Sequence, residues 1–153
     1  MVKNVFKKLG KKQKNNKGFS LVELIVVIAI MAVLVGVLAP QLIKYVEKSR
    51  EATDIQTCDN IATALKTYYA DEEASATAAT VTVTLTTTEL GTGADTAVKD
   101  AGLTKAKIKG TKWTSDKITI VYDKKDGTIE YTGDSPYYYS DKDQFKKGPK
   151  SGK

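Results

Sequence analysis

The sequence predicts an α+β chain: a long N-terminal α-helix, transmembrane in its first half and amphipathic in its second, packed against a small antiparallel β-sheet. Three observations predict it. Leu24 to Ala39 is a run of sixteen consecutive apolar residues. Ile55, Cys58, Ala62, Leu65 and Tyr69 recur at spacings of 3, 4, 3 and 4, the period of one helix face. Ile118, Ile120 and Tyr122 alternate along a strand, Lys124-Lys125-Asp126-Gly127 makes a turn, and Ile129 and Tyr131 resume the alternation.

The apolar run continues to Ile43 with only Pro40 and Gln41 interposed. At about 1.5 Å per residue this stretch spans roughly 30 Å, enough to cross a bilayer. Before it, Met1 to Gly18 holds seven lysines and no acid, a charge bias that keeps the N-terminus cytoplasmic and sends the rest of the chain outward. A secretory signal peptide would have a shorter apolar core, about 7 to 15 residues, and its best cleavage site here, Val37-Leu38-Ala39, is followed by Pro40. A plain membrane anchor explains length and flanking charge but gives no reason for Glu23, since an acid in a membrane helix is costly and implies a partner.

Lys17-Gly18-Phe19-Ser20-Leu21-Val22-Glu23-Leu24, followed by the apolar run, resembles the class III signal of type IV pilins and of the pilin-like subunits (pseudopilins) of type II secretion and competence systems. The resemblance covers about residues 14 to 73. It implies that a prepilin peptidase cuts between Gly18 and Phe19 and methylates the new N-terminal Phe19, and that Glu23 is the assembly acid. It also implies a subunit held in the cytoplasmic membrane by a single pass, N-terminus inside, and later polymerised with identical subunits into a helical, extracellular filament. Minor pilins and an assembly platform driven by separate ATPases would be the further partners. The expected role is a major pilin; a secretion or competence pseudopilin is the alternative, and a membrane-anchored binding domain stands outside the family.

Elementary electrostatics fits this reading. Cleavage would leave a cationic amine on Phe19, with Glu23 about 6 Å further down the same helix. Packed subunits could then set the Glu23 of one against the Phe19 amine of its neighbour, replacing two poorly solvated charges by a pair and fixing axial register. Removal of residues 1–18 also changes the net charge. The whole 153-residue chain is +6, but the portion from Phe19 on has 17 basic and 18 acidic side chains. The excess of positive charge therefore belongs to the leader and is no argument for nucleic-acid binding.

The expected organisation is a leader over 1–18, a transmembrane and filament-core helix over 19–43, an amphipathic helix over 44–73, a β-rich head over 74–140 and a basic flexible tail over 141–153. Ile61 and Tyr68 flank the apolar stripe of the second helical half. Lys44, Glu47, Lys48, Arg50, Glu51, Asp54, Asp59 and Lys66 occupy much of the remainder, which reads as its polar side. Pro40 removes a backbone donor and Gly36 lowers helix propensity, so 36–40 is the expected place for a kink or local melting.

In the head, Val81, Val83 and Leu85 alternate with Thr80, Thr82, Thr84 and Thr86, a half-buried strand. Asp95 to Ala101 reads as a short helix ended by Gly102. Three or four strands are expected to lie across the amphipathic half of the long helix.

Chemical motifs are sparse. No His, one Cys and no Gly-rich phosphate loop leave no imidazole metal site, catalytic triad or nucleotide cradle to build, so neither enzyme nor cofactor is expected. Cys58 sits on the apolar stripe and reads as a small buried hydrophobe. Asp123, Asp126, Asp134, Asp141 and Asp143 lack an EF-hand spacing and have lysines among them, which favours a solvated loop over a calcium site. The tail has five Lys against two Asp after Tyr137, Tyr138 and Tyr139. This composition could hold DNA by charge and stacking, although tyrosines packed on the sheet before a flexible terminus is the preferred reading.

Overall fold

A computed structural model of the chain describes residues 18–71 and 79–150. Helix α1 runs over Leu21–Asp71, followed by β1 (Thr80–Thr86), α2 (Thr96–Asp100), β2 (Lys117–Asp123), β3 (Ile129–Thr132), β4 (Tyr138–Asp141) and β5 (Gln144–Lys147). The fold is α+β, a long N-terminal helix with small antiparallel sheets, as expected. The leader proper and the expected end of the helix at Glu73 lie outside the described residues. The chain divides into two compact units, Met1–Pro40 and Gln41–Lys153.

In the first unit, every large apolar side chain from Phe19 to Leu38 is exposed. Helix α1 is continuous through Gly36 and Pro40, although Pro40 contributes no backbone donor to it.

The second unit has a conventional core. Cys58, Ile61, Ala62 and Leu65 of α1 are buried, with Ile55, Tyr68 and Tyr69 packed partly against them. Ile61, expected on the flank of the stripe, lies fully inside it. From the sheet come Val83, Leu85, Ile118, Ile120, Tyr122, Ile129 and Tyr131. The order is β1-β2-β3, antiparallel throughout, and its register sets Leu85 opposite Ile118, Val83 opposite Ile120, Ile120 opposite Tyr131 and Tyr122 opposite Ile129. Strand alternation then turns Thr80, Thr82 and Thr84 outward.

Local chemistry closes each connection. In the β2–β3 turn, the Asp123 carboxylate accepts the Lys125 N–H at 2.8 Å, and Gly127 takes the left-handed conformation (φ 65°) that a turn of this kind requires. Asp95 caps α2 by accepting the Ala97 N–H at 3.0 Å, and it also accepts the Tyr69 hydroxyl at 3.0 Å, which ties α2 to α1. Gly102 (φ 71°) ends α2 as the sequence predicts.

Two expectations need correction. The segment from Asp141, expected as a flexible tail, is structured through Lys147: β5 pairs with β4, and the Tyr131 N–H donates to the Lys142 carbonyl at 2.8 Å. Phe145 holds the hairpin down, its ring 5.1 Å from Tyr131 and 5.7 Å from Trp113.

The second correction concerns Glu47, Glu51 and Asp54, which the helical pattern placed on the polar side and the structure buries. Spaced at i, i+4 and i+7, they share one helix face. Asp54 accepts the N–H groups of Lys109 and Gly110, both at 2.7 Å, and the indole N–H of Trp113 at 2.9 Å. Glu47 accepts the Thr111 N–H, and Glu51 accepts the Ser135 hydroxyl. The loop from Lys109 to Trp113 forms no ladder of its own, so its buried donors need acceptors from elsewhere. The helix supplies them. Gly110 is obligatory here, because a Cβ would stand 2.8 Å from Glu51 Cγ and 2.9 Å from Asp54 Oδ2.

Leu65 is fully buried. In a chain starting at Lys44, Leu65→Ala should cost about 2 to 5 kcal/mol in urea unfolding; a loss below roughly 0.5 kcal/mol, the level of a surface change, would place the stripe elsewhere.

Glu51 Oε1 is buried and finds no hydrogen-bond partner among the described residues. Burial raises the pKa of Glu51 above its ordinary 4.5, with Glu47 and Asp54 pushing the same way against the Ser135 hydroxyl. A group raised on folding contributes fully below its unfolded value and loses that contribution as pH climbs through the folded one. Glu51→Gln should therefore gain stability relative to the parent as pH rises above 4.5. Melts across that range check it, and a difference independent of pH would mean that Glu51 does not titrate on folding.

Candidate processing and assembly site

The residues that carry the signal sit at the start of α1. Gly18, Phe19 and Ser20 are non-helical and exposed, and the helix begins at Leu21. Ser20 is its N-cap: the Ser20 hydroxyl accepts the Val22 N–H at 3.3 Å, and the Leu24 N–H donates to the Ser20 carbonyl at 3.2 Å. In return Glu23 reaches back, its Oε2 accepting the Ser20 N–H at 2.8 Å. This is a capping box, in which Ser and Glu three residues apart satisfy two orphan donors of the first turn reciprocally. The Glu23 charge also lies where the positive end of the helix dipole favours it.

Ser20 was missed by sequence reasoning, although Ser20-Leu21-Val22-Glu23 spells the box. Inside an apolar run, Glu23 drew attention as a buried charge in need of a distant partner, and its local use was overlooked.

Among the described residues, nothing lies within 4 Å of a Cβ added at Gly18. Gly36 is equally unconstrained, and it lies with Pro40 along the helix, well separated from the Gly18–Glu23 cluster. Phe19 is 89% exposed, and the helix following it has a mean hydropathy of 3.1 over its most apolar eighteen residues, none of them buried. Length and composition suffice to cross a membrane.

A family model described as the prokaryotic N-terminal methylation motif matches residues 13–39. That span contains Gly18, Phe19, Ser20, Glu23 and Gly36. The chain carries a class III prepilin signal and is type IV pilin-like. The match covers the signal and the apolar helix and does not reach the head. Comparison with curated proteins and with solved structures gave no match.

The remaining candidates of this pilin-like chain are placed as follows. Cys58 is fully buried, and burial, with Asp54 and Asp59 nearby, pushes its thiol far up, which leaves little thiolate for reaction. The Asp123 carboxylate serves the hairpin turn, Asp141 pairs with Lys146, and Asp134 lies 3.8 Å from Lys150. Two of the tail lysines are thus already matched with acids. Tyr138 is buried, while Tyr137 and Tyr139 are half-buried.

Proposed function

We propose that this chain is the major structural subunit of a type IV pilus: stored in the cytoplasmic membrane through its N-terminal helix, cleaved after Gly18, N-methylated at Phe19 and polymerised into an extracellular filament serving adhesion, motility or DNA uptake. The observation that carries this reading is a methylation motif on a helix whose apolar side chains, from Phe19 to Leu38, are all exposed. Water is no stable surrounding for such a helix, so it needs either lipid or copies of itself.

Glu23 supports a principal subunit. Its Oε2 accepts the Ser20 N–H, and no partner for its Oε1 occurs among the described residues. In a filament that oxygen meets the Phe19 amine of the adjacent subunit, and the pair replaces a cost that each chain bears alone. Gly36 and Pro40 supply the segment that loosens on assembly, since one lowers helix propensity and the other removes a hydrogen bond. Peptidase, assembly platform, minor pilins and ATPases are separate proteins in this scheme. The lysines paired with acids in the β4–β5 hairpin weigh against a DNA-binding patch there.

Mass spectrometry of the protein sheared from cells tests the scheme. The mature chain should begin at a methylated Phe19, and any other N-terminus would remove the pilin assignment. As the only copy, Glu23→Ala should insert into the membrane yet give few or no filaments by electron microscopy, with partial recovery in Glu23→Asp. Abundant filaments from Glu23→Ala would shift the assembly determinant to the packing of Leu24 to Ala39. Surface filaments absent from the wild type itself would favour a pseudopilin.

A further inference from the structure

We propose that Ser20 is a positioning residue for cleavage between Gly18 and Phe19: as N-cap it stops α1 at Leu21 and so keeps the scissile peptide outside the helix. The proposal rests on the processing reading above and concerns the shape in which the site is presented.

A helix that starts at the edge of an apolar layer has four N–H donors without helical partners. Hydrocarbon offers them nothing. A side-chain cap can meet some of them, and another helical turn added in front moves the unmet ones away from the apolar layer. The box takes the first solution for two of the four, with Val22 N–H donating to the Ser20 hydroxyl and Ser20 N–H to Glu23 Oε2. Gly18 and Phe19 then remain non-helical and exposed. Among the described residues, nothing lies within 4 Å of a Cβ built at Gly18 to hold them there by contact.

With alanine at position 20 the first solution is lost, and alanine is the strongest helix former. The chain then moves its unmet donors away from the apolar layer by winding back across Phe19. The peptide bond at 18–19 becomes part of a helical turn, flanked by side chains of its neighbours, where a peptidase cleft cannot take it in extended form.

Conversion of precursor to mature chain, followed in membranes containing prepilin peptidase, tests this. Ser20→Ala should be cleaved about fivefold more slowly, the scale of a lost N-cap. Ser20→Thr and Ser20→Asn, which retain a capping oxygen, should stay within about twofold of wild type. Glu23→Gln should as well, because its amide oxygen accepts the same N–H. Hydrogen exchange of the uncleaved precursor in micelles supplies an independent reading: the amides of residues 19 and 20 should gain protection in Ser20→Ala alone. Cleavage of Ser20→Ala at the wild-type rate overturns the proposal. So does slow cleavage without that protection, which would make Ser20 a contact of the peptidase. A wild-type precursor that is never cut would instead overturn the processing reading itself.

Discussion

From Leu24 to Ala39 the chain offers its own side chains no shelter, and the rest of its organisation answers that constraint. Burying a single Leu, Ile or Val is worth about 1.5 to 3 kcal/mol, so the eleven such residues between Leu24 and Ala39, left in water, would outweigh the stability of any small head. In the proposed scheme the helix passes directly from one apolar surrounding to another. Lipid and packed helices are nearly equivalent for methyl and methylene groups, which means that apolar burial alone cannot drive such an exchange. What would distinguish an assembled state has to be polar or geometric, and in that scheme Glu23 supplies the polar difference. Ala32 and Gly36 have the small-residue spacing that lets helix backbones approach closely, and among the described residues nothing lies within 4 Å of a Cβ built at Gly36.

The second unit answers a different demand on the same helix type. An apolar stripe alone would seat a sheet on α1, but stripes tolerate sliding. Three carboxylates on the same helix remove that freedom. Asp54 holds two main-chain N–H groups and the Trp113 indole at once, Glu47 holds Thr111, and Glu51 holds Ser135. Each bond requires one register between helix and loop. The cost is three acids brought out of water beside one another, with Arg50 3.8 Å from Glu47. Glu51 bears most of it, with one oxygen that has no partner among the described residues. Gly110 is the geometric counterpart: backbone approaches carboxylates so closely that no side chain fits between.

What was legible in the sequence was whatever depends on neighbours close along the chain. Strand alternation in 81–85, 118–122 and 129–131, the Lys-Lys-Asp-Gly turn, and Asp95 and Gly102 at the ends of α2 are decided within a few residues and could be read directly. The signal matched over residues 13–39 was legible for the same reason, and so was the Ser20–Glu23 box, whose spacing is local. The buried acids were not legible. An acid at a helical position reads as solvated unless one knows that unpaired N–H donors from residues 109–111 arrive beside it, and that is fixed more than fifty residues away. The β4–β5 hairpin was hidden differently. Its turn places a lysine, Lys142, in the left-handed region at φ 55°, and its only apolar anchor in β5 is Phe145, so neither turn chemistry nor alternation announces it.

The capping role of Glu23 and its proposed assembly role are compatible because a carboxylate has two oxygens. Oε2 faces back to the Ser20 N–H and closes the first turn, while no partner for Oε1 occurs among the described residues. A charge with one hydrogen bond made is cheaper to hold at the edge of an apolar layer than a bare one, yet it remains costly enough to favour a partner. Glutamate at the third helical position reaches the N-cap N–H through a longer side chain than aspartate has, so the reach that closes the box is also the reach that projects the second oxygen outward. Filament formation as proposed would not need to break the cap. It would add a charge-assisted bond to an acid already oriented by the helix it belongs to, which would lower the ordering cost of that bond and couple the position of each subunit's first turn to the N-terminus of its neighbour.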